Sequence, residues 1–469
     1  MKKTFPFYLL AVSIFLIIIS PFLLSRGMFL DGIVYANFSK NYAIGEGTFL
    51  NPFFSQTFLV DFKSHPPMFF FLEGQFFKVF GTSFLIERFY SVLSILIACL
   101  LTLKLYKKFD FKMPFLPLFF FLSIPLMTWS VVNNIIENTL IIFTTSSVLF
   151  YIYSLSKKRI LFIFLAGLSL TIGFSVKGFV AFFPLSFPFI YWLVIRKTNF
   201  LRMLTDSILI LLFSIIPILL SIYLSQDVMD YFDHYFEIQI IGGLQNSITV
   251  NSRFYILGRF FSELIFSFII LGIYFLVHKL KIRKTPLKNN ENNKKALLMF
   301  LFSLTAVLPI LLSMKQSGFY LLPAFPFVVI AFSGLIDESV SKLISNINPK
   351  IKWFSTLKYI SIGLLIISIS LPFLFYGKDS RDKELLADMD IIAEFIPQKS
   401  ILSIPPQMLE EYSLFAYYAR FHNISIDRNI KVQRKYLLIR KEHSYNFKKM
   451  NYKKVNLNTQ SYNIYEKEN

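Results

Sequence analysis

The sequence predicts a polytopic α-helical membrane protein with a small α/β domain at its C-terminus, and three observations lead there. Of 469 residues, 55% are hydrophobic and only 16% charged, and the mean hydropathy is +0.57, a balance foreign to soluble enzymes. Apolar stretches of about 20 residues, the length a hydrocarbon core of about 30 Å requires, recur along most of the chain. From Gly377 onward the chain becomes charged and polar, with helix and strand patterns of a soluble fold.

Taken in order, the N-terminal "MKKTFPFYLLAVSIFLIIISPFLLSR" has a basic start. Its apolar run exceeds the roughly 7–15 residues of a cleavable signal and no small-residue cleavage site follows, so it reads as an uncleaved first span, 5–24. Further spans are expected at 84–105, 114–132, 136–155, 160–176, 178–195, 204–224, 258–278, 296–314, 318–336 and 356–376, about eleven in all. The segment 279–295, with its asparagine and lysine run, reads as a flexible linker. In the tail, helices are expected at 383–395 and 407–420 and strands near 400–404, 424–427, 435–440 and 461–465. The chain therefore divides into a transmembrane domain, 1–376, whose first loop is 25–83, and a soluble α/β domain, 377–469.

A net charge of +20, from 48 basic and 28 acidic residues, raises the question of nucleic acid. The basic residues cluster instead in short connections between apolar stretches, where they orient a membrane protein, and no nucleic-acid partner is expected. With the N-terminus cytoplasmic, the inner connections carry 23 lysines and arginines and the outer ones 8. An odd number of spans then places the tail outside. The single cysteine, Cys99, excludes an intrachain disulfide or a cysteine zinc cluster.

The outer connections collect the polar chemistry. In the first loop, "DGIVYANFSKNYAIG" stops at Gly45 and "PPMFFFLEGQFFKVFG" starts on prolines and ends at Gly81, so both read as interfacial amphipathic helices. Asp31, just after the first span, fits an N-cap and equally a carboxylate held at the membrane boundary. In "DFKSHPPMFFFLEG", Asp61 and Glu73 read as solvated residues, whereas His65 is held extended by two prolines and is the candidate of that stretch. Glu137 lies near a span end among Asn133, Asn134 and Asn138, and an ionisable residue there is a functional candidate. Lys177 stands between two apolar spans beside Gly178, where a phosphate can approach. In the loop beginning "SQDVMDYFDHYFEIQ", His234 and Glu237 share a helix face and are metal-ligand candidates with Glu137, or simply part of a solvated helix. Arg253 follows in the same loop. Lys315 and Tyr320 in "KQSGFYLLPAF" fit an aromatic belt and a snorkelling lysine as well as a site. Carboxylates and several cations gathered on one membrane face suit chemistry on a phosphate-bearing lipid.

The ordered set "DGIVYA", "HPPMFFFLEGQFFKVFG", "ENTLIIFTTSSVLFYIY", "GFSVKGFVAFFPL" and "KQSGFYLLPAFP" resembles the GT-C glycosyltransferases, within them the protein O-mannosyltransferase-like group that includes the lipid A aminoarabinose transferases. The resemblance spans residues 1 to 336. It implies a GT-C type transmembrane bundle in a bacterial inner membrane, transferring a sugar with inversion from a polyprenyl-phosphate carrier to an extracytoplasmic lipid, glycan or protein acceptor. It also implies Asp31 as the catalytic carboxylate, with His65, Lys177, Arg253, Lys315 and Tyr320 around the donor lipid phosphate and a divalent metal ion as the candidate cofactor. The chain departs from those relatives in having Gly32 where many carry a second acidic residue, and Ser64 and His65 where the aminoarabinose transferases carry an acidic residue and a lysine. The rival reading is a transporter or flippase for a lipid-linked or anionic solute, but transporters usually place ionisable residues at the bilayer midplane.

Overall fold

The structure is a computed structural model describing residues 3–242, 248–281, 290–443 and 451–468. Lys2 and residues 282–289 of the expected linker at 279–295 lie outside the described residues, and the rest of that stretch is helical. The chain packs into two units: a membrane unit, Met1–Ser20, Ser64–Pro66 and Ser91–Leu374, and a second unit, Pro21–Lys63, Pro67–Tyr90 and Phe375–Asn469.

The helices run in order α1 Phe5–Leu23, α2 Leu30–Ala43, α3 Met68–Phe80, α4 Ile86–Lys108, α5 Leu116–Leu122, α6 Pro125–Val132, α7 Ile136–Ser154, α8 Arg159–Lys177, α9 Phe187–Ile195 and α10 Phe200–Leu224. They continue with α11 Gln226–Tyr235, α12 Tyr255–Glu263, α13 Ile265–Lys281, α14 Asn290–Val307, α15 Phe325–Ser345, α16 Lys352–Ser370, α17 Lys383–Phe395 and α18 Tyr412–His422. Among the described residues, eight helical stretches are long and apolar enough to cross a membrane, nine with the bent pair formed by α12 and α13. The expected count of about eleven differs for two reasons. The expected span 114–132 breaks at Ser123 and Ile124, where Pro125 opens a new helix. The expected pair 160–176 and 178–195 is one helical stretch, Arg159–Ile195, joined by a 3₁₀ segment over Gly178–Ser186.

Within the membrane unit α15 is buried along most of its length, while α10 and α16, equally apolar, are mostly exposed. Composition makes all three hydrophobic, but α15 is the core and the other two present the faces a lipid solvent requires. Buried Asp337 on α15 accepts from the Tyr106 hydroxyl at 2.7 Å and from the amides of Lys112 and Met113 at 2.9 and 2.8 Å. One carboxylate thus fixes the loop between α4 and α5. Asn138 in the first turn of α7 donates to Ser91 Oγ at 3.0 Å and to the Ser130 carbonyl at 2.9 Å, tying α7 to α4 and α6.

In the second unit, α2 and α3 end at Gly45 (φ +84°) and Gly81 (φ +86°), as their stops predicted. The expectation of one-sided interfacial helices does not hold for α2, which is buried over Ile33 and from Tyr35 to Asn41. Glu73 is not solvated either: it is fully buried and accepts from Ser39 Oγ at 2.6 Å. A polar seam between two apolar helices replaces the exposed face that residue type alone implied. The tail folds as a five-stranded sheet of β1 Ile401–Ser403, β2 Ser425–Asp427, β3 Tyr436–Arg440, β4 Tyr452–Lys454 and β5 Tyr462–Lys467, in the order β2-β1-β3-β5-β4. β1 pairs parallel with β2 and β3, and β5 antiparallel with β3 and β4. Helix α18 begins later than the expected 407, because Pro405 and Pro406 divert the chain into a 3₁₀ turn over Pro406–Met408.

Candidate active site

The membrane unit contains a cavity of about 310 Å³ lined by His65, Glu137, Lys177, Lys315, Tyr235, Tyr320 and Gln239, against an apolar side that includes Phe179, Ile310 and Leu312. Five of the candidates, His65, Glu137, Lys177, Lys315 and Tyr320, scattered along the sequence, therefore meet in one place. Lys177 is the last residue of α8, where the helix dipole favours a cation. The chain turns at once through Gly178 (φ +70°), and a Cβ there would collide with the Tyr235 hydroxyl. Glycine is required both by the left-handed backbone and by the phenol packed on it.

Glu137 stands in the first turn of α7, where an anion is favoured. Its Oε1 accepts from Lys177 Nζ in a buried ion pair, Glu137 being 1% and Lys177 8% exposed. The same ammonium lies over the rings of Tyr320 and Phe319, 4.7 and 5.5 Å from their centroids. Lys315 projects from a short irregular stretch between the 3₁₀ turns Leu308–Leu312 and Gly318–Ala324, and its Nζ donates to Gln239 Oε1 at 3.0 Å. That stretch is held by Gln316, which is buried, donates to the carbonyls of Arg253 and Ser313 at 2.9 Å each, and accepts from the Ile256 amide at 3.0 Å.

His65 is fixed through its carbonyl, which accepts from the Tyr231 hydroxyl at 2.5 Å. Burial first, and then the charges of Lys177 and Lys315, push its imidazole down to about 3. At neutral pH it is an uncharged hydrogen-bonding group, not a third cation. Burial, then the charge of Lys177, also lowers Lys315. Two ammonium groups facing one carboxylate across a partly desolvated space form a site that favours an added anion.

The other expected residues lie elsewhere. Arg253 donates to the Leu312 carbonyl at 3.2 Å and is not among the cavity's lining residues. His234 is on α11 and Glu237 on the π-helical turn Phe236–Ile241 that follows. Among the described residues no three His, Cys, Asp or Glu stand together as a ligand set, and Glu137 is engaged with Lys177. The described residues therefore offer no ligand set for a divalent cation. Asp31 belongs to the second unit and is the second residue of α2. It is not the N-cap, a position taken by Phe29 with no side-chain cap bond, so the capping role does not account for it. Gln239, Tyr235 and Gln316 were missed by sequence reasoning; only the lysine–glycine pair at 177–178 marked a close approach there.

Comparison with solved structures decides the architecture. The structure of ArnT from Cupriavidus metallidurans bound to undecaprenyl phosphate matches 98% of this chain and 97% of its own, with a TM-score of 0.63 at 12% identity. The chain has the GT-C fold. A second GT-C structure, the archaeal oligosaccharyltransferase AglB from Archaeoglobus fulgidus in complex with an inhibitory peptide and a dolichol-phosphate, matches 93% of this chain and 69% of its own, with a TM-score of 0.52 at 10% identity. The family model for dolichyl-phosphate-mannose-protein mannosyltransferases matches residues 64–224, the stretch that carries His65, Glu137 and Lys177. No curated protein matches by sequence. The family model covers less than half of this chain, and the solved structures share its fold.

Proposed function

We propose that this chain is a GT-C enzyme that transfers a sugar, with inversion, from a polyprenyl-phosphate carrier to a lipid, glycan or protein acceptor of the cell envelope. The observation that carries the reading is the cavity in which Lys177 and Lys315 stand with neutral His65 and Tyr320 against an apolar wall. The donor phosphate would sit against the two ammonium groups, which neutralise the charge that grows on it as the glycosidic bond breaks. The apolar side would take the first isoprene units. Asp31 takes the role of base, removing the proton of the attacking hydroxyl. That the ArnT and AglB structures hold undecaprenyl phosphate and dolichol phosphate supports a carrier of this class.

We place the chain in a bacterial inner membrane, with a cytoplasmic N-terminus and an extracytoplasmic site and tail; the basic bias of its connections supports the side given to the N-terminus. The test is transfer in vitro from a panel of polyprenyl-phosphate sugars to cell-envelope extracts, wild type beside Asp31→Asn. Transfer by the wild type and a loss of about 10²-fold or more in the variant are expected. Equal transfer by both removes Asp31 from the chemistry, and no transfer from any donor returns the chain to the transporter reading.

A further inference from the structure

We infer that Glu137 sets the charge of the cavity to match a phosphodiester and to disfavour a phosphomonoester, so that the site holds its donor and releases its own lipid product. The inference rests on the reading of the cavity as the donor-phosphate site. Two ammonium groups, Lys177 and Lys315, and one carboxylate, Glu137, line the space. Their formal sum is +1, and His65 adds nothing because burial and the two lysines keep it neutral.

A polyprenyl-phosphate sugar is a phosphodiester of charge −1 and brings this sum to zero. In transfer, the bond between the anomeric carbon and the phosphate oxygen breaks and its electron pair stays on that oxygen. The acceptor oxygen bonds the anomeric carbon, and the acceptor's proton passes to the Asp31 carboxylate. The lipid left behind is a phosphomonoester, which carries about −1.5 to −2 at pH 7. The product therefore overshoots the charge that the donor balanced. Glu137 makes the mismatch, since its carboxylate already lies on Lys177, the ammonium that a second phosphate charge would claim. With Glu137 1% and Lys177 8% exposed, little water screens one surplus charge. Without the carboxylate the cavity would be +2 and matched to the product.

The test measures binding of undecaprenyl phosphate and of its methyl phosphodiester to the full-length chain in detergent, by ligand-induced thermal shift and by inhibition of sugar transfer. Glu137→Gln is expected to bind the monoester at least about tenfold more tightly than wild type, one charge in a partly desolvated site, with a smaller change for the diester. Glu137→Asp, which keeps the charge, is expected to bind both as wild type does. Equal or weaker monoester binding by a folded Glu137→Gln would overturn the inference and reduce Glu137 to a positioning residue for Lys177. If that variant does not fold, Lys315→Gln decides: the inference expects it to lose more affinity for the monoester than for the diester, and equal losses overturn it. Wild type that binds neither lipid would defeat the phosphate-site reading itself, a result distinct from either of these.

Discussion

Two buried cation–carboxylate pairs, one in each unit, look alike by residue type and differ in what surrounds them. Lys177 and Glu137 border a cavity that holds a second ammonium, Lys315. Arg420 on α18 and Glu87 on α4 pair at 2.7 Å in closed packing, 2% and 0% exposed. Arg420 also donates to the carbonyls of Ser83 at 2.9 Å and Thr82 at 3.2 Å and lies over the Phe77 ring. Beside it, Lys40 donates to the Ala419 and Arg420 carbonyls at 3.0 and 3.2 Å and to Asn423 Oδ1 at 2.5 Å, closing the C-terminal end of α18. A buried pair in closed packing holds elements together; a pair beside open space with a surplus cation is arranged to take an anion.

The largest effect should come from the closed pair. Arg420→Met leaves Glu87 buried without its countercharge and is expected to cost about 3–5 kcal/mol of stability, read as a large fall in the unfolding midpoint of the purified chain. Transfer per folded molecule should stay the same. A variant that unfolds as the wild type does would erase the distinction between the two pairs. Next, Lys315→Gln should raise the KM for the donor roughly tenfold, the loss of one charge-assisted contact, while the unfolding midpoint stays put. A drop in stability with an unchanged KM would make Lys315 structural.

The closed pair also has a pH signature. Burial, and then the charge of Arg420, pull Lys40 down to about 7 from an ordinary 10.5. Between those values the unfolded chain binds the proton that the folded chain has released, so this group makes stability rise with pH from about 7 to about 10.5 and adds no slope below that window. Lys40→Met should flatten the rise, measured as unfolding midpoint against pH. The smallest effect is expected of Tyr320→Phe, which keeps a ring under Lys177 and should lower transfer by less than about threefold, within the scale of a cation–π contact at a partly exposed site. A loss near that of Lys315→Gln would assign the hydroxyl a direct contact with the phosphate.

Hydropathy and charge placement made the spans, the tail and the one-sided gathering of polar residues legible, because lipid imposes length and composition on every helix alike. They could not separate α15 from α10, since core and lipid are equally apolar. His65, Lys177, Lys315 and Tyr320 were readable as candidates because a charged or polar residue between apolar stretches is conspicuous. Glu137 was conspicuous too, but its partner was not, because Lys177 lies forty positions away on another helix. Glu73 read as a solvated residue, and nothing in the sequence marked Lys40, Glu87 or Arg420; tertiary packing buries all four. Arg253 does not line the cavity: its side chain donates to the Leu312 carbonyl.

The most direct measurement is a structure of the full-length chain with undecaprenyl phosphate bound. The phosphate is expected within hydrogen-bond reach of Lys177 Nζ and Lys315 Nζ, with the isoprenoid leaving along the apolar wall near Phe179 and Leu312. A phosphate bound elsewhere, with the cavity's two lysines still on Glu137 and Gln239, would contradict the account.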